Sequence, residues 1–368
     1  MTWITVFVCL LLSSPLGLSH PGEEENIYQH AAQPLHHRTP HVSQCKATFQ
    51  EPEFVKRTID RRHAEFERLR QERGLDTRSL PLLQRQAGKL AGYLNKDHQV
   101  KKPFNKDTKA EQLFAGDGAC MMAPLVSEGP LYVSGEQVRR NLTEGEAGVP
   151  TSLDIQVIDV KTCRPLKDVA VDIWGCNTTG IYSGVLAYYR TPNNPGDLSV
   201  INATALRGIQ FTDDEGVAKF DTFFPGHYEG RAVHIHVMVH LGAKREPNGT
   251  ITGGRVAHIG QLYFDQSLIT EVEKLSPYTL NKQNLTINSN DGLLKITTLS
   301  DDPFFRYVKL GDRVEDGIFS YIRLGIDPSA SWGINPAAYR DESGGHQNLT
   351  GPMGNGSTPP VIPPNPIP

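Results

Sequence analysis

Residues 232–240 read Ala-Val-His-Ile-His-Val-Met-Val-His. Successive side chains of an extended strand point to opposite faces, so Val233, Ile235, Val237 and Val239 share one face and His234, His236, Met238 and His240 the other. Same-face neighbours lie roughly 6.5–7 Å apart, close enough for the imidazoles of His234 and His236 to converge on one ion, while His240, about 13 Å from His236, is out of reach. A His-x-His strand by itself also fits satisfied core or surface histidines. Two tyrosines tip the balance towards a metal. Tyr228 follows the tight turn Pro225-Gly226-His227 just before the strand, and Tyr182 ends Asn177-Thr178-Thr179-Gly180-Ile181, downstream of a strand closing in Trp174. A phenolate is a hard, strongly donating ligand whose ordinary pKa of about 10 falls only beside a strong Lewis acid such as ferric iron. Either tyrosine taken singly reads as a buried aromatic with a hydrogen-bonded hydroxyl.

The elements that would position these groups are strands. Leu153, Ile155 and Val157 alternate with Asp154 and Gln156, and Val169, Val171 and Ile173 alternate again after the turn at Arg164-Pro165. Gln210-Phe211-Thr212 and Ala218-Lys219-Phe220 flank the turn cluster Asp213-Asp214-Glu215-Gly216, which signals a hairpin. A short helix is expected over 266–274 and a closing strand over 318–324. Upstream, residues 44–85 are rich in Glu, Arg, Gln and Leu, with Val55, Ile59, Phe66 and Leu69 at helical spacing and Gly74 as a stop. This predicts a helical arm whose charge run is a solvated face. From residue 329 onward Gly, Pro, Asn and Ser dominate, and such a tail is expected to stay disordered.

The chain has 368 residues and a net charge of -4, with no basic block, so neither nucleic acid nor an anionic membrane is an indicated partner. Residues 3–12 form an apolar run too short to span a bilayer, and Gly17-Leu18-Ser19 follows, which predicts a signal peptide cleaved after Ser19 and a secreted, extracellular protein. Sequons at Asn141, Asn177, Asn202, Asn248, Asn284, Asn348 and Asn355 agree; glycosylation is expected at all but Asn177, where a glycan would obstruct the metal. Cys9 leaves with the leader, and the even set Cys45, Cys120, Cys163 and Cys176 predicts two disulfides. Cys163 and Cys176 flank one short strand and are expected to pair, leaving Cys45 with Cys120. A thiolate metal site would need a Cys-x-x-Cys pair, which the chain lacks.

Asp172-Ile173-Trp174, Gly180-Ile181-Tyr182-Ser183, Pro225-Gly226-His227-Tyr228, Gly230-Arg231-Ala232-Val233-His234-Ile235-His236 and Gly260-Gln261-Leu262-Tyr263-Phe264, in this order and spacing, resemble the intradiol ring-cleavage dioxygenases. The likeness runs from about Cys120 to Leu324, takes in Gly129-Pro130-Leu131-Tyr132, and is nearest to the secreted, fungal-type branch. It implies one non-haem Fe(III) per chain, held by Tyr182, Tyr228, His234 and His236, with Tyr228 and His234 axial. It also implies cleavage of a catechol between its two hydroxylated carbons by dioxygen, giving a cis,cis-muconate-type diacid. Arg231 and Gln261 fall on the family's active-site arginine and glutamine, catalytic and substrate-binding, and Tyr132 on a residue lining the substrate pocket. One departure is Gly175-Cys176 after Trp174, where the family has histidine or another larger residue, which would open the pocket wall near Tyr182.

Two other readings fit fewer residues. A cupin-like dioxygenase needs a carboxylate three to five residues beyond His-x-His, and residues 238–241 offer none. A secreted binding sandwich without metal leaves the tyrosines and histidines unexplained, and a copper site at a mature amino-terminal His20 rests on a flexible start. The expected organisation is a leader at 1–19, an extension with the helical arm at 20–115, a mainly β, antiparallel β-sandwich catalytic core at 116–328 and the tail at 329–368. The expected partners are a small aromatic diol and dioxygen, with monomer and homodimer both open.

Overall fold

The computed structural model describes residues 42–75, 93–100, 108–114, 120–121, 128–186, 198–298 and 301–349. The expected leader, Cys9, His20 and Asn355 lie outside these residues. The strands, in chain order, are β1 (Cys120–Met121), β2 (Val133–Ser134), β3 (Pro150–Asp159), β4 (Ala170–Trp174), β5 (Arg207–Phe211), β6 (Val217–Phe223), β7 (His234–Leu241), β8 (Lys244–Arg245), β9 (Ile251–Thr252), β10 (Arg255–Tyr263), β11 (Arg306–Lys309), β12 (Ile318–Ile326), β13 (Ala338–Asp341) and β14 (Gly344–Gln347). The α-helices are α1 (Pro52–Glu72), α2 (Ala110–Phe114), α3 (Gln266–Val272) and α4 (Gly292–Thr297).

Two sheets form the mainly β core. One runs β1-β12-β3-β6, with β11 also paired to β12, the other β10-β7-β4-β5. Leu153, Ile155 and Val157 of β3 share a single buried cluster with Val171 and Ile173 of β4 and Val233, Ile235, Val237 and Val239 at β7. Each such side chain contributes about 1.5–3 kcal/mol on burial, and together they fix register. A one-residue slip of β7 would turn its valines out and its histidines into the core. Within these two sheets pairing is antiparallel except that β12 runs parallel to β3 and to β1.

Helix α1 starts with Pro52, where the missing N–H has no intrahelical partner to lose. It ends where Gly74 turns left-handed at φ 63°, and the Leu75 N–H bonds back to the Arg70 carbonyl at 2.8 Å. Ile59, Phe66 and Leu69 pack on Val308, Leu310, Phe319 and Tyr321 of the outer sheet region. The charge run is the expected solvated face only in part: Glu53, Lys56, Arg57, Asp60 and Glu72 are exposed, but others are not. Arg62 and Arg70 are fully buried, Arg61 forks onto Asp154 at 3.1 and 3.2 Å, and Glu65 accepts from Arg68 and Arg140, each at 2.6 Å. Asp154 belongs to the polar face of β3, and α1 covers that face, so its arginines meet carboxylates rather than water.

Three further expectations need correction. The turn at 213–216 exists, closed by Asp213 N–H to Val217 O at 3.0 Å, but β5 and β6 part there into different sheets, so the unit is a corner between layers. Cys163 bonds not to Cys176 but to Cys45, with Cα atoms 5.2 Å apart. Cys163 and Cys176 lie at opposite ends of β4, and a five-residue strand alone spans roughly 16 Å, beyond the reach of any disulfide. With Cys45 taken, the expected Cys45–Cys120 bond falls as well. Finally, order continues past residue 328: β13 pairs with β14 and, in parallel, with β2, and Trp332 N–H bonds to Val256 O at 2.9 Å. Backbone pairing, together with the burial of Ala337 and Ala338 beside Tyr132 and Val133, holds this segment, which composition did not reveal.

Candidate metal centre

The histidine face of β7 is flanked on both sides. Across the ladder His236 pairs with Trp174 of β4 and with Gln261 of β10, and His234 pairs with Tyr263. Directly opposed residues share a face, so Trp174, Gln261 and Tyr263 project with the imidazoles. The Trp174 ring lies flat on the His236 ring, centroids 4.8 Å apart and planes 6° apart, which fixes the ring's rotation.

Two loops deliver the tyrosines, and each is shaped by a glycine against the other. Gly180, at φ 85°, abuts the carbonyl of His227, and Gly226 abuts the backbone of Asn177 and Thr178, with its N–H bonded to Asn177 O at 3.2 Å. The result is an edge contact between the rings of Tyr182 and Tyr228, with centroids 5.8 Å apart. The Tyr182 ring stands 6.0 Å from that of His236, and the Tyr228 hydroxyl lies 3.3 Å from His234 Nε2. The loop is held from behind by His227, whose ring nitrogens meet Glu273 Oε1 at 2.8 Å and the Gln283 carbonyl at 3.0 Å.

Protonation follows from the partners. His234 Nδ1–H donates to the Ala232 carbonyl at 2.6 Å, so Nε2 carries the lone pair, and that nitrogen lies 3.1 Å from His236 Nε2. Burial, and then Arg231, lowers the His234 pKa to about 3, so the ring is neutral. Burial, and then the neighbouring Tyr228, pushes the Tyr182 phenol well above its ordinary range, so a phenolate there requires a compensating cation. All four residues are at most 2% exposed. A neutral His234 nitrogen, the His236 nitrogen beside it and two buried phenols fit a trivalent metal ion. Among the described residues no group of three or more His, Cys, Asp or Glu is placed to hold a metal.

Arg231 is fully buried beside the four. Its Nε donates to Asp291 Oδ2 at 3.0 Å, and its Nη2 donates to the Tyr263 hydroxyl at 3.0 Å and to Gln261 Oε1. Asp291 also accepts the backbone N–H groups of Ala232 at 2.7 Å and Leu294 at 2.9 Å, so one buried carboxylate fixes the arginine, the start of β7 and the first turn of α4. Burial alone would raise the Asp291 pKa, but Arg231 and these N–H groups hold it below its ordinary value.

Residues 127–267 match a family model described as Dioxygenase. A solved intradiol ring-cleavage dioxygenase from Tetranychus urticae is 30% identical, over 58% of this chain and 98% of that one, with a TM-score of 0.49. The identity over nearly the whole of that protein, with the family match inside the same region, decides the relationship; the TM-score carries none of it. The chain belongs to the intradiol ring-cleavage dioxygenases. The dioxygenase domain of a carbohydrate-binding fusion from Streptomyces sp. SirexAA-E is 25% identical, over 56% of this chain and 97% of that one, with a TM-score of 0.37. Catechol 1,2-dioxygenase from Pseudomonas arvilla C-1 is 20% identical, over 57% of this chain and 65% of that one, also at 0.37. Among curated proteins none matches.

In this dioxygenase Tyr132 is set one layer back. Its ring packs on Trp174 at 4.9 Å and its hydroxyl donates to Asp172 Oδ2 at 3.3 Å, so it braces the tryptophan that braces His236. A Cβ at Gly175 would stand 3.9 Å from Pro225 and from the core residue Ile235. Cys176 is a buried free thiol whose Sγ donates to Gly226 O at 3.3 Å, and burial raises its pKa to about 12. His240 stays apart from the cluster, 3.6 Å from Asp172. Sequence reading missed Asp291, Tyr263, His227 and Glu273. Tyr263 and His227 stood in noted motifs without a role of their own, whereas Asp291 and Glu273 meet the site through long-range packing.

Proposed function

We propose that the protein is a secreted, non-haem ferric dioxygenase that opens catechol-type rings between the two hydroxylated carbons. The observation that carries this reading is the meeting of Tyr228 Oη, His234 Nε2 and His236 Nε2 within 3.3 Å steps beside the Tyr182 ring, in a family that cleaves such rings. Tyr182, Tyr228, His234 and His236 would hold one iron. Bound there, ferric iron would supply the single-electron character that triplet dioxygen needs to react with a closed-shell ring.

The chain's own groups do the rest. Tyr228 Oη accepts one of the two protons that a catechol sheds on binding. Trp174 holds His236 in one rotation, and dry walls keep water from the ring. The Arg231 cation faces the negative charge that develops on the substrate, and Gln261 orients the ring. Both atoms of dioxygen enter the product, a cis,cis-muconate-type diacid, so the reaction balances without an outside reductant.

The leader at 1–19, the Cys45–Cys163 disulfide and exposed sequons at Asn141, Asn202, Asn248 and Asn284 support export, glycosylation and a place in the secreted, fungal-type branch. Protein recovered from culture medium should begin at His20. Oxygen uptake should be measured over a panel of substituted catechols with identification of products. The reading expects uptake of one dioxygen per ring and a diacid; a semialdehyde product, or no uptake by iron-loaded protein, would overturn it.

A further inference from the structure

We propose that Tyr263 locks the amide of Gln261 so that it presents an N–H donor, rather than its carbonyl, to an anionic oxygen of the aromatic diol. The inference rests on the ring-cleavage reading above. Gln261 and Tyr263 sit opposite His236 and His234 on the same sheet face. A guanidinium can only donate, so the amide atom facing Arg231 Nη2 must be the oxygen, Oε1. The Tyr263 hydroxyl accepts from the same Nη2 at 3.0 Å, which leaves its own proton for Gln261 Oε1 at 2.7 Å. Two donors thus converge on one oxygen. Turning the amide over would set its NH2 against a guanidinium N–H and a hydroxyl proton.

The consequence falls on the other end of the amide. Gln261 Nε2 is buried and, among the described residues, has no hydrogen-bond partner. A buried donor left unmet is costly, and this one lies on the imidazole face, where a ring bound at the metal ligands would come. An N–H there stabilises a catecholate oxygen, whereas a carbonyl would repel it. Tyr263 does not touch the substrate in this account. It is a positioning residue that acts through Gln261, while Asp291 fixes the arginine on which both rely.

The test uses the iron-loaded enzyme with Gln261→Glu, Tyr263→Phe and the double variant. Gln261→Glu keeps an oxygen to accept from Arg231 and Tyr263 but removes the N–H. It should lower kcat about tenfold or more and weaken anaerobic binding of 4-nitrocatechol, with Tm close to wild type. Tyr263→Phe should lower kcat more than it raises KM, and should have no further effect in the Gln261→Glu background. Unchanged turnover and nitrocatechol affinity in Gln261→Glu, or an undiminished Tyr263→Phe effect in the double variant, would overturn the proposal. Neutron diffraction reads the orientation without activity: deuterium on the amide atom turned away from Arg231 supports it, and deuterium on the atom facing Arg231 overturns it. If wild-type enzyme does not cleave catechols, the functional reading fails while the neutron result still stands.

Discussion

Gly226 lies so close to Asn177 that a Cβ on it would stand 2.5 Å from the Asn177 carbonyl oxygen and 2.5 Å from that of Thr178. The loops carrying Tyr182 and Tyr228 are therefore seated on each other's backbone. Gly226→Ala should push them apart at a cost of about 1–3 kcal/mol and spoil the meeting of the two phenols. Lower Tm together with loss of bound metal is the expected outcome; full metal content would show that the loop contact is dispensable.

Asp291 and Arg231 form a fully buried ion pair, with Nε 3.0 Å from Oδ2. Asp291→Ala would break that buried pair by removing one partner, a change that typically costs about 3–5 kcal/mol. Urea denaturation should show it, and Asp291→Asn should recover part of the stability while Arg231 keeps one acceptor. Equal stability of Asp291→Ala and wild type would mean that another group holds the arginine.

Much of this arrangement could be read from the chain. Alternation at 233–240 placed valines in the core and histidines opposite them, and the motif order named both tyrosines, because both signals are local. Asp291 could not be found that way: it meets Arg231 across 60 residues, and no periodicity marks it. The disulfide failed for a related reason, since flanking one strand suggests proximity yet places two residues at its opposite ends. Composition suggested a disordered segment from residue 329, but β13 and β14 are held by ladder hydrogen bonds that require few apolar residues.

His98 is clamped between two carboxylates, with Nδ1 2.5 Å from Asp265 and Nε2 3.0 Å from Asp302, which Lys96 also meets at 2.6 Å. Burial opposes the imidazolium, but Asp265 and Asp302 raise its pKa above the ordinary value of 6.5. A raised folded pKa adds stability that is fully present below the unfolded value and lost as pH rises through the folded one. Denaturation midpoints should fall over that rise in wild type and change less in His98→Gln. Identical pH profiles would contradict the charged clamp.

Peptide mapping without reduction should link Cys45 to Cys163 and leave Cys176 unmodified by thiol reagents until the protein unfolds, as its pKa near 12 implies. By the chain-entropy model, losing a crosslink that spans 118 residues should cost about 4–5 kcal/mol. A Cys163–Cys176 peptide would contradict the described connectivity.

The central claim is that two phenols and two imidazoles of this chain hold one ferric ion, and metal analysis paired with the visible spectrum tests it most directly. Purified protein should contain about one iron per chain and be reddish from phenolate-to-iron charge transfer. Tyr182→Phe should lose metal and colour, while Tyr228→Phe should keep iron and turn catechol over more slowly. A colourless, zinc-loaded and fully active wild-type protein, or a Tyr182→Phe variant with undiminished iron and colour, would contradict the account.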